Sequence, residues 1–295
     1  MQKIFITGAS SGIGYALAHE YAKRYQYTGC IIGLAARRGE HLQQLASDLQ
    51  NQYNISCSIY PLDVRDSAAC KSAAEDFIAR YGAPNIVIAN AGVSRGTLTE
   101  YSEDTVAFQA VMDINVMGMV HIFQPFIHSM IGAIKPVSIQ DGMQNNVNQP
   151  SGQSGTSVTQ HSNIQNAQLV GIASVAGIRG LPGAGAYSAS KAAAVSYLES
   201  LRIEMAAKNI AVTTIAPGYI RTPMTDVNRY SMPFLMDADI AAAKFVDAIS
   251  AKRRFVVIPW QMGWLARFMR FIPPFLWDWA MKNAPRKQRT HWDGL

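Results

Sequence analysis

The sequence predicts an α/β fold: a single doubly wound parallel sheet of about seven strands, with helices on both faces. Three observations predict it. Short apolar runs alternate with stretches of helical length and period, the pattern of strands buried on both sides. The first run passes through a glycine-rich turn directly into a helix. Polar motifs then follow the apolar runs, and the carboxyl ends of strands are where open parallel sheets bind ligands.

The bulk properties agree with one large domain. The chain has 295 residues and is 49% hydrophobic, enough for a sizeable core. Cys30, Cys57 and Cys70 stand apart, without metal-ligand spacing. They are expected as core thiols of a reducing compartment, with no metal site. The opening residues lack the pattern of a secretory leader, so a cytoplasmic location is expected. The net charge of +6 lies in the tail: residues 1–250 carry 17 Lys/Arg against 18 Asp/Glu, and residues 251–295 carry 9 against 2. The basic region is short and holds no nucleic-acid-binding module, so nucleic acid is not expected as a partner.

Taken in order, Lys3–Thr7 reads as the first strand. It leads into Gly8-Ala-Ser10-Ser11-Gly12-Ile13-Gly14 and an alanine-rich helix, Tyr15 to Tyr25. Glycines there let the backbone turn sharply and approach a phosphate, which the helix N-terminus favours. The second strand, Cys30–Ala36, ends in Arg37 and Arg38. A basic residue at this place suits the 2′-phosphate of NADP, an acidic one the ribose of NAD; a solvated helix-start arginine is the other reading. Helices are expected over 40–52 and 67–81. Strands are expected over 58–64, ending at Asp63 and Val64, and over 85–89, running into Asn90-Ala91-Gly92.

Thr105 to about Met130 reads as one long helix with Asn115 in its middle, either a surface or capping residue or a functional one. Residues 132–168 follow: 37 residues with seven Gln and five Asn, and only Lys135 and Asp141 charged. They are expected as an inserted loop or flap. The chain resumes with a strand at 169–173, delivering Ser174, and a helix from Tyr187 to about Lys208. Tyr187 and Lys191 are four apart, on one helical face. A cation there would favour the phenolate and make the pair a tunable acid/base. A sixth strand, 210–216, ends at Pro217-Gly218 and Thr222. Residues 223–240, with Met224, Met232, Phe234 and Met236, suit an adaptable apolar loop over a pocket. A seventh strand lies at 254–259. The tail from Trp260 to Trp279 is aromatic and basic, interrupted by Pro273-Pro274. It suggests docking on a membrane surface, or packing on the apolar loop or on another subunit.

With these pieces in order, the sequence resembles the short-chain dehydrogenase/reductase family over roughly residues 3–258. The resemblance rests on Thr7-Gly-Ala-Ser-Ser-Gly-Ile-Gly14, Asp63-Val64, Asn90-Ala-Gly92, Asn115, Ser174, Tyr187-x-x-x-Lys191 and Pro217-Gly218, in the family's order. It implies a Rossmann-type fold and a catalytic tetrad of Asn115, Ser174, Tyr187 and Lys191. Tyr187 would be the general acid, Ser174 would hold the carbonyl oxygen, Lys191 would lower the Tyr187 pKa, and Asn115 would order a proton-relay water. Cofactor contacts are implied at Gly8, Ser10, Ser11, Gly12, Ile13, Gly14, Arg37, Asp63, Val64, Asn90, Ala91, Gly92, Tyr187, Lys191, Pro217, Gly218 and Thr222. Ala89 and Ala173 depart from the usual pattern, as does the 132–168 insertion.

The expectation is therefore an NADP(H)-preferring oxidoreductase acting on a lipophilic ketone, aldehyde or secondary alcohol. It would comprise a catalytic domain over 1–259 and an extension over 260–295, as a homodimer or homotetramer, with peripheral membrane contact through 260–282. The rival is a non-catalytic NADP(H)-binding sensor or scaffold.

Overall fold

The structure is a computed structural model and describes residues 1–134, 167–228, 230–284, 287 and 289. Its centre is a seven-stranded parallel sheet, as the apolar runs predict, and the strands lie in the order β3-β2-β1-β4-β5-β6-β7. The strands are β1 (Gln2–Thr7), β2 (Cys30–Ala36), β3 (Ser56–Pro61), β4 (Ile86–Ala89), β5 (Ala167–Ile172), β6 (Ile210–Pro217) and β7 (Phe255–Ile258). Helices α1 (Gly12–Tyr25), α2 (Gly39–Tyr53) and α3 (Ser67–Tyr81) connect the first four strands.

Successive strand residues face opposite sides, so β1 divides its side chains between two cores. Phe5 packs with Phe77 of α3 and with Ile122, Phe123 and Phe126 on one face. Ile4 and Ile6 pack with Leu17 of α1, Leu42 of α2, Phe245 and Ile249 on the other.

The long helix expected over 105–130 is three pieces: α4 (Asp104–Met112), a π-helical turn (Asp113–Met117) and α5 (Gly118–Ala133). By length and composition this run could cross a membrane, but half of its apolar window is buried inside the protein. Its apolar side chains Ile122, Phe123, Phe126 and Met130 are spent on the sheet.

Helix α6 (Gly185–Ala206) follows β5, and a single turn, α7 (Pro223–Asp226), follows β6. Helix α8 (Ala238–Ser250) precedes β7 and packs beside α1. The tail forms α9 (Trp260–Phe271) and α10 (Pro274–Met281). Of the expected insertion, Gly132 and Ala133 complete α5, while Ala167 and Gln168 begin β5. Residues 135–166, which hold the rest of it, lie outside the described residues.

Candidate active site

Four strand ends converge. β1 delivers Gly8, β4 delivers Asn90, β5 delivers Ser174 and β6 delivers Gly218. β2 lies on one side of β1 and β4 on the other, so the chain reverses its winding here and opens a crevice.

The glycine turn is built for close approach. Gly8 and Gly12 have φ of +67° and +58°, which favour glycine. A Cβ at Gly14 would stand 2.6 Å from the Asn90 side-chain nitrogen, Nδ2. Thr7 ties β4 to this turn: its hydroxyl accepts from the Asn90 and Ala91 amides at 3.0 and 3.1 Å, and its carbonyl accepts from Asn90 Nδ2 at 2.9 Å. At the start of α1, Ser11 is extended and caps no amide, and the first turn has no acidic residue. That leaves N–H groups for an anion.

Arg37 and Arg38 follow β2 at the same mouth. Arg38, which sequence reasoning passed over, donates to the Ser11 and Ser10 hydroxyls at 2.8 and 3.1 Å. Asp63 pairs with Arg65 at 2.6 Å. Burial pushes the Asp63 carboxyl up, but the Arg65 hydrogen bonds and the Arg37 charge hold it below the usual range.

Ser174, extended at the end of β5, accepts from the Ala176 amide at 3.1 Å and so starts a 3₁₀ turn over 175–177. This turn lies against α6 where a Cβ at Gly177 would meet the Lys191 backbone carbon at 2.6 Å. Helix α6 carries Tyr187 and Lys191, with the Lys191 ammonium 5.9 Å from the Tyr187 ring centre. Lys191 is buried and donates to the Ile172 carbonyl at 2.8 Å.

Burial raises the Tyr187 phenol, the Ser174 hydroxyl partly offsetting it. Burial also lowers the Lys191 ammonium to about 8. The net shift of Tyr187 is thus upward, opposite to what the i,i+4 pair alone predicts. Burial penalises the charged phenolate, and the Lys191 ammonium gives its hydrogen bond to the Ile172 carbonyl and not to the phenol.

Asn115 sits in the π turn with 1% exposure, a buried position and not a surface one. Its side chain accepts from the Val93 amide at 2.8 Å and donates to the Val93 carbonyl at 2.9 Å. It also donates at 2.9 Å to the Ser190 hydroxyl, which donates to the Tyr187 carbonyl at 2.8 Å. Ser190 carries no sequence signal beyond a small polar residue inside α6.

One groove gathers most of these residues. It is lined by Gly8, Ser10, Ser11, Gly12 and Ile13; by Arg37, Arg38, Asp63 and Val64; and by Asn90, Ala91 and Gly92. Ser174, Tyr187, Lys191, Pro217, Gly218 and Thr222 complete it. Among the expected contacts Gly14 is not part of the lining, since it packs beneath Gly8; nor is Asn115, which braces Val93 from behind. The open α1 amides and the glycine cradle fit a dinucleotide diphosphate, and the two guanidiniums line the same groove where β2 ends.

Thr222 closes over Gly12 and caps α7 reciprocally with Thr225. Tyr230 and Tyr219 stand edge to face at 6.4 Å beyond it. Burial raises the Tyr230 phenol, with smaller contributions from Tyr219 and Tyr187.

The cysteines are free, and burial pushes Cys30 and Cys57 up to about 12 and Cys70 to about 11. They are inert thiols at neutral pH. Among the described residues no cluster of His, Cys, Asp or Glu could hold a metal ion.

Comparison with known proteins agrees with this architecture. The family model described as short chain dehydrogenase matches residues 2–151 and 134–232. An uncharacterized oxidoreductase of Myxococcus xanthus is 30% identical over 282 residues, covering 94% of this chain and 95% of that protein. An 11-beta-hydroxysteroid dehydrogenase-like 3 of Arabidopsis thaliana is 28% identical over 286 residues, covering 94% and 79%. Among solved structures, a short-chain dehydrogenase from Sphingobium yanoikuyae in complex with NADPH superposes with a TM-score of 0.70. It is 19% identical, over 98% of this chain and 99% of that one. An alcohol dehydrogenase from Thermococcus sibiricus complexed with 5-hydroxy-NADP gives 0.67 at 20% identity, over 88% and 96%. By its sheet order, its glycine turn and its family match, the chain belongs to the short-chain dehydrogenase/reductase family and is an NAD(P)-dependent oxidoreductase.

Proposed function

We propose that the protein is an NADP(H)-dependent carbonyl reductase acting on a lipophilic ketone or aldehyde, with Tyr187 as its general acid/base. The observation that carries this reading is one groove lined at one place by Arg37 and Arg38 and at another by Ser174, Tyr187 and Lys191. Bound there, the nicotinamide supplies hydride to a carbonyl carbon or takes it from an alcohol.

The side chains of the site have separable tasks. Tyr187, raised by burial, keeps its proton at neutral pH and gives it to the oxygen as that becomes an alkoxide. The Ser174 hydroxyl, fixed by its bond to the Ala176 amide, orients the carbonyl oxygen. Lys191, still largely protonated at pH 7 with a pKa of about 8, keeps positive charge beside the forming anion. Asn115 and Ser190 hold the Tyr187 turn of α6 at its carbonyl.

Arg37 and Arg38 favour a 2′-phosphate, since no acidic side chain directly follows β2 to hold a ribose. That solved relatives carry NADPH and 5-hydroxy-NADP supports the same preference. The Met-rich segment from Met224 to Met236 and the hydroxysteroid names of plant relatives support a lipophilic substrate. We take residues 1–259 as the catalytic domain and 260–295 as an extension, whose helices α9 and α10 pack on that domain. The enzyme is read as cytoplasmic, meeting membranes only peripherally. Exposed Val106 and Phe108 on α4 and Ile203 on α6, two helices in contact, support a homodimer or homotetramer.

The test is NADPH oxidation against a panel of ketones and aldehydes. Turnover is expected with apolar members, and Tyr187→Phe should lower kcat by about a thousandfold while leaving NADPH affinity unchanged. Tight NADPH binding without turnover on any carbonyl would overturn the reading in favour of a sensor.

A further inference from the structure

Helix α9 is apolar on two opposite faces. Met262 and Ala266, one turn apart, are buried, and Met262 packs on the Gly218 turn, where a Cβ would meet its Cγ at 2.7 Å. On the other side Trp260, Trp264, Phe268 and Phe271 recur at i, i+4, i+8 and i+11. They stand 68%, 65%, 69% and 82% exposed. In α10, Phe275 and Trp279 are exposed as well. A globular helix needs one apolar stripe; a second, continuous and in water, marks an interaction surface.

Charge accompanies the aromatics. The Arg267 guanidinium lies 5.7 Å from the Trp264 ring centre, and Arg270 occupies the last turn of α9. Residues 260–295 hold six Lys/Arg (267, 270, 282, 286, 287 and 289) against Asp278 and Asp293. The same helices are fastened to the loop joining Ser174 to Tyr187. Arg179 donates to the Ile272 carbonyl at 3.0 Å and lies 4.9 Å from the Trp277 ring centre. Trp277 Nε1 donates to the Gly180 carbonyl at 3.3 Å.

We propose that the outward face of α9 and α10 docks on an anionic lipid surface and presents the Ser174–Tyr187 loop to the bilayer from which a lipophilic substrate is drawn. Rings of Trp and Phe flanked by arginine suit the headgroup boundary, where the rings bury area and the guanidiniums meet phosphate. A second copy suits the face less well. A two-fold contact sets one patch against itself, bringing Arg267 and Arg270 towards their own copies. The substrate half of this inference rests on the carbonyl-reductase reading, whereas the docking half is measured without turnover.

The experiment is co-sedimentation of the full chain with phosphatidylglycerol/phosphatidylcholine vesicles and with phosphatidylcholine alone, beside sedimentation velocity without lipid. Wild type should bind the anionic vesicles, and high salt should weaken binding. Trp264→Ser/Phe268→Ser/Phe271→Ser should lose about tenfold or more in partitioning, with NADPH affinity and reduction of a water-soluble aldehyde unchanged. Arg267→Glu/Arg270→Glu should abolish the preference for anionic lipid.

Failure of wild type to bind either vesicle overturns the proposal. So does equal partitioning of wild type and the triple variant. Loss of a dimer in the triple variant without vesicle binding would assign the face to a second copy and also overturn it. Vesicle binding without turnover on any carbonyl would instead sink only the reductase reading.

Discussion

Arg37 and Arg38 stand side by side in the chain but do different things. Arg38 bridges the Ser10 and Ser11 hydroxyls, while Arg37 lends its charge to the Asp63 environment. Consecutive residues at a strand end point to opposite sides, so adjacency alone does not tell which arginine reaches the glycine turn. If both meet the 2′-phosphate, Arg37→Asp should move preference towards NADH by placing an anion against an anion. Arg38→Ala should raise the KM for NADPH by about tenfold, the worth of one charge-assisted hydrogen bond, and leave the KM for NADH within twofold. Steady-state kinetics with both cofactors decides it; an unchanged NADPH/NADH ratio in both variants would remove the arginines from cofactor selection. Ser190 was illegible for a related reason. Its partners, Asn115 and the Tyr187 carbonyl, include one 75 positions away, and no local pattern reports a contact of that range.

At the scale of elements, periodicity located every strand to within about two or three residues, because parallel strands buried on both faces read as unbroken apolar runs. It failed at the π turn. A single extra residue inside a helix leaves the apolar spacing of Thr105–Met130 almost unchanged, although it interrupts the helix where Asn115 must face inward. It also could not show why the 3₁₀ turn after Ser174 ends in glycine. Gly177 meets only backbone: Lys191 carbonyl carbon and oxygen at 2.6 and 2.7 Å, and the Ala192 nitrogen at 2.8 Å from an added Cβ. None of these can rotate away, so Gly177→Ala must lift the turn off α6 and separate Ser174 from Tyr187. The variant should lose about 1–3 kcal/mol by chemical denaturation and lose kcat, with NADPH affinity retained because the glycine turn is remote. Wild-type stability and kcat together would mean that the turn shifts freely and does not set the Ser174–Tyr187 spacing.

For the molecule as a whole, the sequence left the tail open between membrane, pocket and subunit, because a helix apolar on two faces satisfies more than one of them. The structure gives its inner face to the Gly218 turn and the loop after Ser174. Within the site, the burial of Lys191 carries a cost in global stability. Its ammonium, 4% exposed, has a folded pKa of about 8 against 10.5 for the free group. Between those values the unfolded chain binds more protons than the folded one, so stability rises with pH. The contribution is complete above 10.5 and is lost as pH falls towards 8. Buried thiols and phenols with raised pKa values oppose it from about pH 9 upward, so the wild-type curve alone does not isolate the lysine. The difference between wild type and Lys191→Met does. Measured by urea unfolding, that difference should be flat below about pH 8 and then move in favour of wild type by at most about 1.4 kcal/mol per pH unit. A difference independent of pH would mean that Lys191 titrates alike in both states, and its hydrogen bond to Ile172 would then have to offset desolvation in full.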